Sequence, residues 1–143
     1  MYKAAPCSAK HLNHVGIAVR DIESSLKFYE GIFGVDAAPI QDVEDQGIKA
    51  ALVAVGGSQL EFIQPTDSTG SVARFVERRG EGLHHICFEV DGLEETLGRL
   101  QASNVDLIDR TPRLGISGSI AFVHPRATGG VLLELVERGT TKR

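Results

Sequence analysis

The sequence predicts an α+β fold made of two tandem βαβββ modules. Three observations predict it: an internal repeat at an offset of 71 residues, the same order of apolar patterns in both halves, and a length of 143 residues with 42% hydrophobic side chains, which suits one domain with a real core. The segment L-N-H-V-G-I-A-V from Leu12 overlies L-H-H-I-C-F-E-V from Leu83. His14 falls on His85, Val15 on Ile86, Ile17 on Phe88 and Val19 on Val90; farther on, Ile22 falls on Leu93 and Leu26 on Leu97.

Each half opens on a short alternating aliphatic strand, roughly 13–19 and 84–90. An acidic turn follows, Asp21 in the first half and Asp91-Gly92 in the second, and suits a helix N-terminus. The next segments carry one apolar stripe each, Ile22, Leu26, Tyr29 and Phe33, then Leu93, Leu97 and Leu100, as helices do. Gly34 is placed to close the first helix. Strands then return as Ile48 to Val55 and Gln59 to Ile63 around Gly56-Gly57-Ser58, and as Ser119 to His124 and Val131 to Val136 around Pro125 to Gly130. Taken together, module 1 covers about 11–64, a connector 65–82 and module 2 about 83–137 of a single domain spanning 1–143. Within the connector, Val72, Phe75 and Val76 predict a short helix over Val72 to Arg79.

Composition narrows the function classes. A formal charge of −4 with dispersed Lys and Arg argues against nucleic acid as partner. No apolar run approaches the ~18 residues of a membrane span, and Met1 to Lys10 lacks the apolar stretch of a signal peptide. The two cysteines, Cys7 and Cys87, make neither a disulfide framework nor a C-x-x-C pair, so a reduced, cytoplasmic setting is expected.

Two acids interrupt the apolar strands: Glu61 within L-E-F-I and Glu134 within L-L-E-L-V. A carboxylate flanked by large aliphatic residues is costly to bury without a partner. Each half also places a histidine near the start of its first strand, and His14 precedes Glu61 by 47 residues as His85 precedes Glu134 by 49. One His or one Glu of this kind is ordinarily a surface or hydrogen-bonded residue; four in duplicated positions point to a shared metal site. Two imidazoles and two carboxylates suit a borderline divalent ion: Zn, Co, Ni or Mn. His84 competes with His85, but strand alternation turns it to the other face and the repeat selects His85. His124, in F-V-H-P, reads as structural or rim-lining, and nothing singles out His11.

The paired βαβββ plan with H-V-G-I-A-V, L-H-H-I, F-V-H-P and G-G-V-L-L-E-L-V resembles the vicinal oxygen chelate superfamily, which includes glyoxalase I and extradiol dioxygenases. Within it, G-E-G-L-H-H-I-C-F-E-V, F-V-H-P-R and G-G-V-L-L-E-L are most similar to the methylmalonyl-CoA epimerase family, over roughly residues 11–137. The resemblance implies a cup-shaped mixed sheet around a metal held by His14, Glu61, His85 and Glu134, where some relatives carry Gln in place of Glu61. It implies interconversion of (2R)- and (2S)-methylmalonyl-CoA by α-proton abstraction through a metal-stabilised enolate, an acyl-CoA substrate, cobalt or a similar ion, and a homodimer. The alternatives within the fold are a glyoxalase I-like isomerase or lyase, another metal-dependent enzyme, and a non-catalytic resistance protein.

The chain departs from the family pattern twice. Relatives often carry a Glu, proposed as a base, in the strand after Q-G-[VI]; here Q-G-I-K-A-A-L puts Ala50 there. Glu134 and Glu61 are the favoured replacements, ahead of Glu44 and Asp45 in the preceding turn, while Lys49 should face away. Relatives also show a basic residue in the glycine-rich segment before F-L-H-P. This chain has G-I-S-G-S-I-A-F, which reads as a loop offering backbone N–H groups at Gly115 to Ser119, with Arg113 and Arg126 as the nearby basic candidates.

Overall fold

The computed structural model describes residues 7–139, so the expectation for Met1 to Lys10 lies, over 1–6, outside it. Two compact units divide the chain: His14–His84, and the described flanking residues 7–13 with 85–139. The chain runs β1 (His11–Ala18), α1 (Ile22–Phe33), β2 (Gln41–Val43), a 3-10 turn at Glu44–Gln46, β3 (Ile48–Val55), β4 (Ser58–Pro65) and α2 (Ser71–Arg79). It then repeats the plan with β5 (Gly82–Glu89), α3 (Leu93–Ala102), β6 (Arg113–Leu114), β7 (Gly118–Val123), a 3-10 turn at Pro125–Ala127 and β8 (Leu133–Arg138). The fold class is α+β. No helix among the described residues is long and apolar enough to cross a membrane.

In the first unit the strand order is β2-β3-β4-β1, in the second β5-β8-β7-β6. The first strand of each half pairs with its last in parallel, β1 with β4 and β5 with β8; the other pairs are antiparallel hairpin neighbours. The short strands β2 and β6 were not placed by the sequence, because three and two residues are too few to show a period. β1 and β5 each begin two residues earlier than the apolar alternation suggested.

Each helix covers one face of its strands. Val19, Ile22 and Leu26 pack with Ala51, Val53 and Phe62 in the first unit; Val90, Leu93 and Leu97 pack with Ala121, Val123 and Leu135 in the second. A fully buried Leu or Ile contributes about 1.5–3 kcal/mol here, so these stripes hold the helices down. The duplication extends to hydrogen bonds: Val19 N–H donates to Ile63 O and Val90 N–H to Val136 O, both at 2.9 Å.

Both helices start where the turn sequences placed them, but they are capped differently. Asp21 caps α1 as expected, its carboxylate accepting from Ser24 N–H at 3.3 Å and Ser24 Oγ at 2.9 Å. These bonds hold the Asp21 carboxyl below the usual carboxylate range. α3 has no such cap: Gly92 sits at its N-cap in the left-handed region, φ 59°, and Asp91 makes no side-chain bond to the helix. Both helices also take an acceptor from the last strand of their own unit, which for α3 stands in for the missing side-chain cap. Gln64 Oε1 accepts Ile22 N–H, and Glu137 Oε1 accepts Leu93 N–H, both at 2.9 Å. Gly34 closes α1 at φ 67°, as predicted.

Candidate functional site

Strand register decides which side chains share a face. β1 buries His14, Gly16 and Ala18, alternating with Val15 and Ile17, and Gly16 stands beside Glu61 of β4 in parallel register. Across β3–β4 the partners are Leu52 with Glu61 and Ala50 with Ile63, so Ala50 shares the face of Glu61 and Lys49, paired with Gln64, does not. The parallel arrangement in the second unit sets Cys87 beside Glu134 and pairs Phe122 with Glu134 across β7–β8.

On these faces the structure joins each predicted His to the predicted Glu of its own half. His14 Nε2 lies 3.3 Å from Glu61 Oε1, and His85 Nε2 lies 3.1 Å from Glu134 Oε1. The side chains are nearly sequestered, His14 6% and Glu61 12% exposed, His85 4% and Glu134 8%. Ionisable groups this deep require a charge or hydrogen-bond partner, and each pair supplies one. In both units the same nitrogen, Nε2, is presented to a carboxylate oxygen. Imidazole nitrogen and carboxylate oxygen within about 3 Å are the donor types that borderline divalent ions take, so the residues fit such an ion.

The remaining candidates are distributed differently. His84 turns to the other face, its ring 4.8 Å from Phe75 of α2. His124 is structural: its Nδ1 accepts Arg126 N–H at 2.9 Å, capping the 3-10 turn, and its own N–H donates to Asp106 O at 3.0 Å. His11 pairs with Glu89 at 3.1 Å. Glu44 and Asp45 are exposed in their 3-10 turn, and Ala50 is fully buried with no ionisable group to offer.

The glycine-rich segment is not the open loop expected from its composition. Gly115 N–H donates to Gly118 O at 2.8 Å, closing the β6–β7 turn on itself. Gly118 is required there, since a Cβ would stand 2.3 Å from Glu137 O at φ 151°. The sequence also passed over Phe122. Its ring meets the His85 imidazole edge-on at 5.9 Å, Arg113 lies over it at 5.5 Å, and its N–H donates to Asp109 Oδ2 at 2.8 Å. Asp109 Oδ1 lies 3.3 Å from Arg113 Nε, so one acid holds both the backbone of Phe122 and the guanidinium over its ring. Phe122 shares a strand face with Ile120, a signal that placed it on a face without revealing which face held the site.

The chain matches the model of the Glyoxalase/Bleomycin resistance protein/Dioxygenase superfamily over residues 13–122. It is 43% identical over 127 residues to an uncharacterised protein, YqjC, of Bacillus subtilis, covering 88% of this chain and 91% of that one. It is 35% identical over 130 residues to a mitochondrial methylmalonyl-CoA epimerase of Dictyostelium discoideum, covering 89% and 78%. The crystal structure of methylmalonyl-CoA epimerase from Mycobacterium tuberculosis superposes with a TM-score of 0.87 at 34% identity, over 97% of this chain and 93% of the other.

Proposed function

This chain belongs to the glyoxalase/bleomycin resistance protein/dioxygenase superfamily and, within it, to the methylmalonyl-CoA epimerase family, and from that premise we propose that it interconverts (2R)- and (2S)-methylmalonyl-CoA with one divalent ion held by His14, Glu61, His85 and Glu134. The observation that carries the reading is the buried His–Glu pair repeated in each half. Each of the four residues offers one donor atom, and cobalt, manganese, nickel or zinc accepts such a set. When bound, the ion supplies Lewis-acid polarisation of the thioester carbonyl, which acidifies the α-proton.

The chain's own residues move that proton. Epimerisation needs a base for each face of the α-carbon, because a base that returns the proton to the face it left changes nothing. Glu61 and Glu134 take these roles: one accepts the α-proton and the other, protonated, delivers one to the opposite face. Ala50, on the face of Glu61, supplies no base and leaves the work to the two ligand acids. Arg113, held over Phe122, supplies the positive charge that Gly115 to Ser119 lacks, toward the anionic groups of the acyl carrier. The reading includes a cytoplasmic setting and a homodimer, for which exposed Phe28, Ile32 and Phe33 on α1 offer an apolar face.

The test is isotope exchange. Incubated with (2S)- or (2R)-methylmalonyl-CoA in deuterated water, the protein should place deuterium at the α-carbon only after loading with cobalt or manganese. No incorporation by fully metallated protein would overturn the assignment.

A further inference from the structure

The helix-covered side of the second unit carries a groove that the proposed chemistry does not use. It has a volume of about 420 Å³, within the roughly 300–1,000 Å³ of small-molecule sites. Its floor is Val105 and Leu107, which pack on the cluster of Val90, Leu97 and Leu135 beneath α3. Phe122 and Glu134 alternate with Val123 and Leu135 and so point to the other side of the same strands. The groove and the His85–Glu134 pair therefore occupy opposite faces.

The groove's polar rim is held in place by the backbone. α3 ends at Ala102, and Asn104 follows in the left-handed conformation, φ 61°, with its N–H donated to Gln101 O at 3.0 Å. The Gln101 amide reaches across to Arg110 O at 3.4 Å, tying the segment before β6 to the helix end. On the opposite rim Arg126 Nε donates to Asp106 Oδ2 at 2.9 Å, and His124 N–H fixes the Asp106 carbonyl. That contact holds the Asp106 carboxyl below the usual carboxylate range and orients Arg126 on the rim. Arg110 has no carboxylate partner among the described residues. Two guanidinium groups against one carboxylate leave the groove with a net positive charge, and the Gln101 and Asn104 amides add neutral donors and acceptors.

We propose that this groove binds a phosphomonoester carried on a sugar or nucleoside. A guanidinium matches a phosphate through paired N–H donors, the volume exceeds that of an inorganic ion, and the carboxylate and amides suit ribose hydroxyls or a base edge. The proposal does not rest on the epimerase reading, and its readout needs neither turnover nor metal. Two sources share this chemistry: a free nucleotide or sugar phosphate, and the 3′-phosphate of a coenzyme A thioester.

Isothermal titration of the wild-type protein with adenosine 3′,5′-bisphosphate should show binding, weakened by salt, and none with adenosine. Arg110→Gln and Arg126→Gln should each weaken it about tenfold or more, as losing a charge-assisted contact does, with unchanged circular dichroism. Arg99→Gln, on the exposed face of α3 where Arg99 pairs with Glu95 at 2.8 Å, should leave it unchanged. Coenzyme A against its 3′-dephospho form separates the sources. If wild type prefers coenzyme A and Arg110→Gln loses that preference, the carrier's phosphate is the ligand; if the ratio is unaffected while bisphosphate binding falls, a free phosphate is. Absence of bisphosphate binding, or equal binding by wild type and Arg110→Gln, would sink the proposal.

Discussion

The two halves keep the same His–Glu pair in different surroundings. In the first, the residue beside the acid in parallel register is Gly16 and its antiparallel partner is Leu52; in the second these places hold Cys87 and Phe122. One step along, Ala50 in the first half corresponds to Ile120 in the second, and the edge residues paired with them are Gln41 and Arg113. Cys87, Ile120 and Val136 with Phe122 form an apolar cluster on the second half's site face, while the first half presents Gly16, Ala18 and Ala50. Duplication preserved the His–Glu pair and let the walls diverge: the second half sets an aromatic ring against its imidazole, and the first lines its acid with Gly16 and Leu52.

The largest effect separates donors from walls. His14→Ala and His85→Ala should each abolish stoichiometric metal in purified protein, by more than the roughly 10–100-fold that outer-shell changes cost. Elemental analysis reads this directly, and retained metal in either variant would break the equivalence of the halves. Glu61→Gln comes next. It keeps an oxygen donor but cannot accept a proton, so metal should remain while α-proton exchange falls about 10²–10⁴-fold; unchanged exchange would assign the proton work elsewhere.

Phe122→Leu gives the second half the first half's residue at that place. Removing the ring edge from His85 should lower metal affinity about tenfold, measured by competition with a chelator, whereas Leu52→Val in the first half should barely change it. The smallest effect concerns the helix starts. Removing the strand-borne acceptors, Gln64→Ala for α1 and Glu137→Ala for α3, should each cost about 0.5–2 kcal/mol in urea unfolding. Glu137→Ala should cost more, because α3 has no side-chain cap at Gly92 to fall back on while α1 keeps Asp21. Equal losses would mean that Asp21 contributes little.

By itself the sequence determined the repeat and the helices, and it singled out His14, Glu61, His85 and Glu134 as the candidates for one site. Apolar stripes at helical spacing and β-branched alternation are local, and a buried carboxylate among aliphatic residues declares itself without knowledge of its neighbours. Alternation also told His85 from His84, since adjacent strand residues take opposite faces. The tertiary structure decided what depends on register between distant segments. It paired His14 with Glu61 and His85 with Glu134, set Phe122 against His85, and gave α3 its acceptor from Glu137, 44 residues away. It closed Gly115 to Gly118 into a turn where composition suggested open backbone donors. Such contacts follow from which strand lies beside which, and one-dimensional periodicity carries the face of a residue but not its partner.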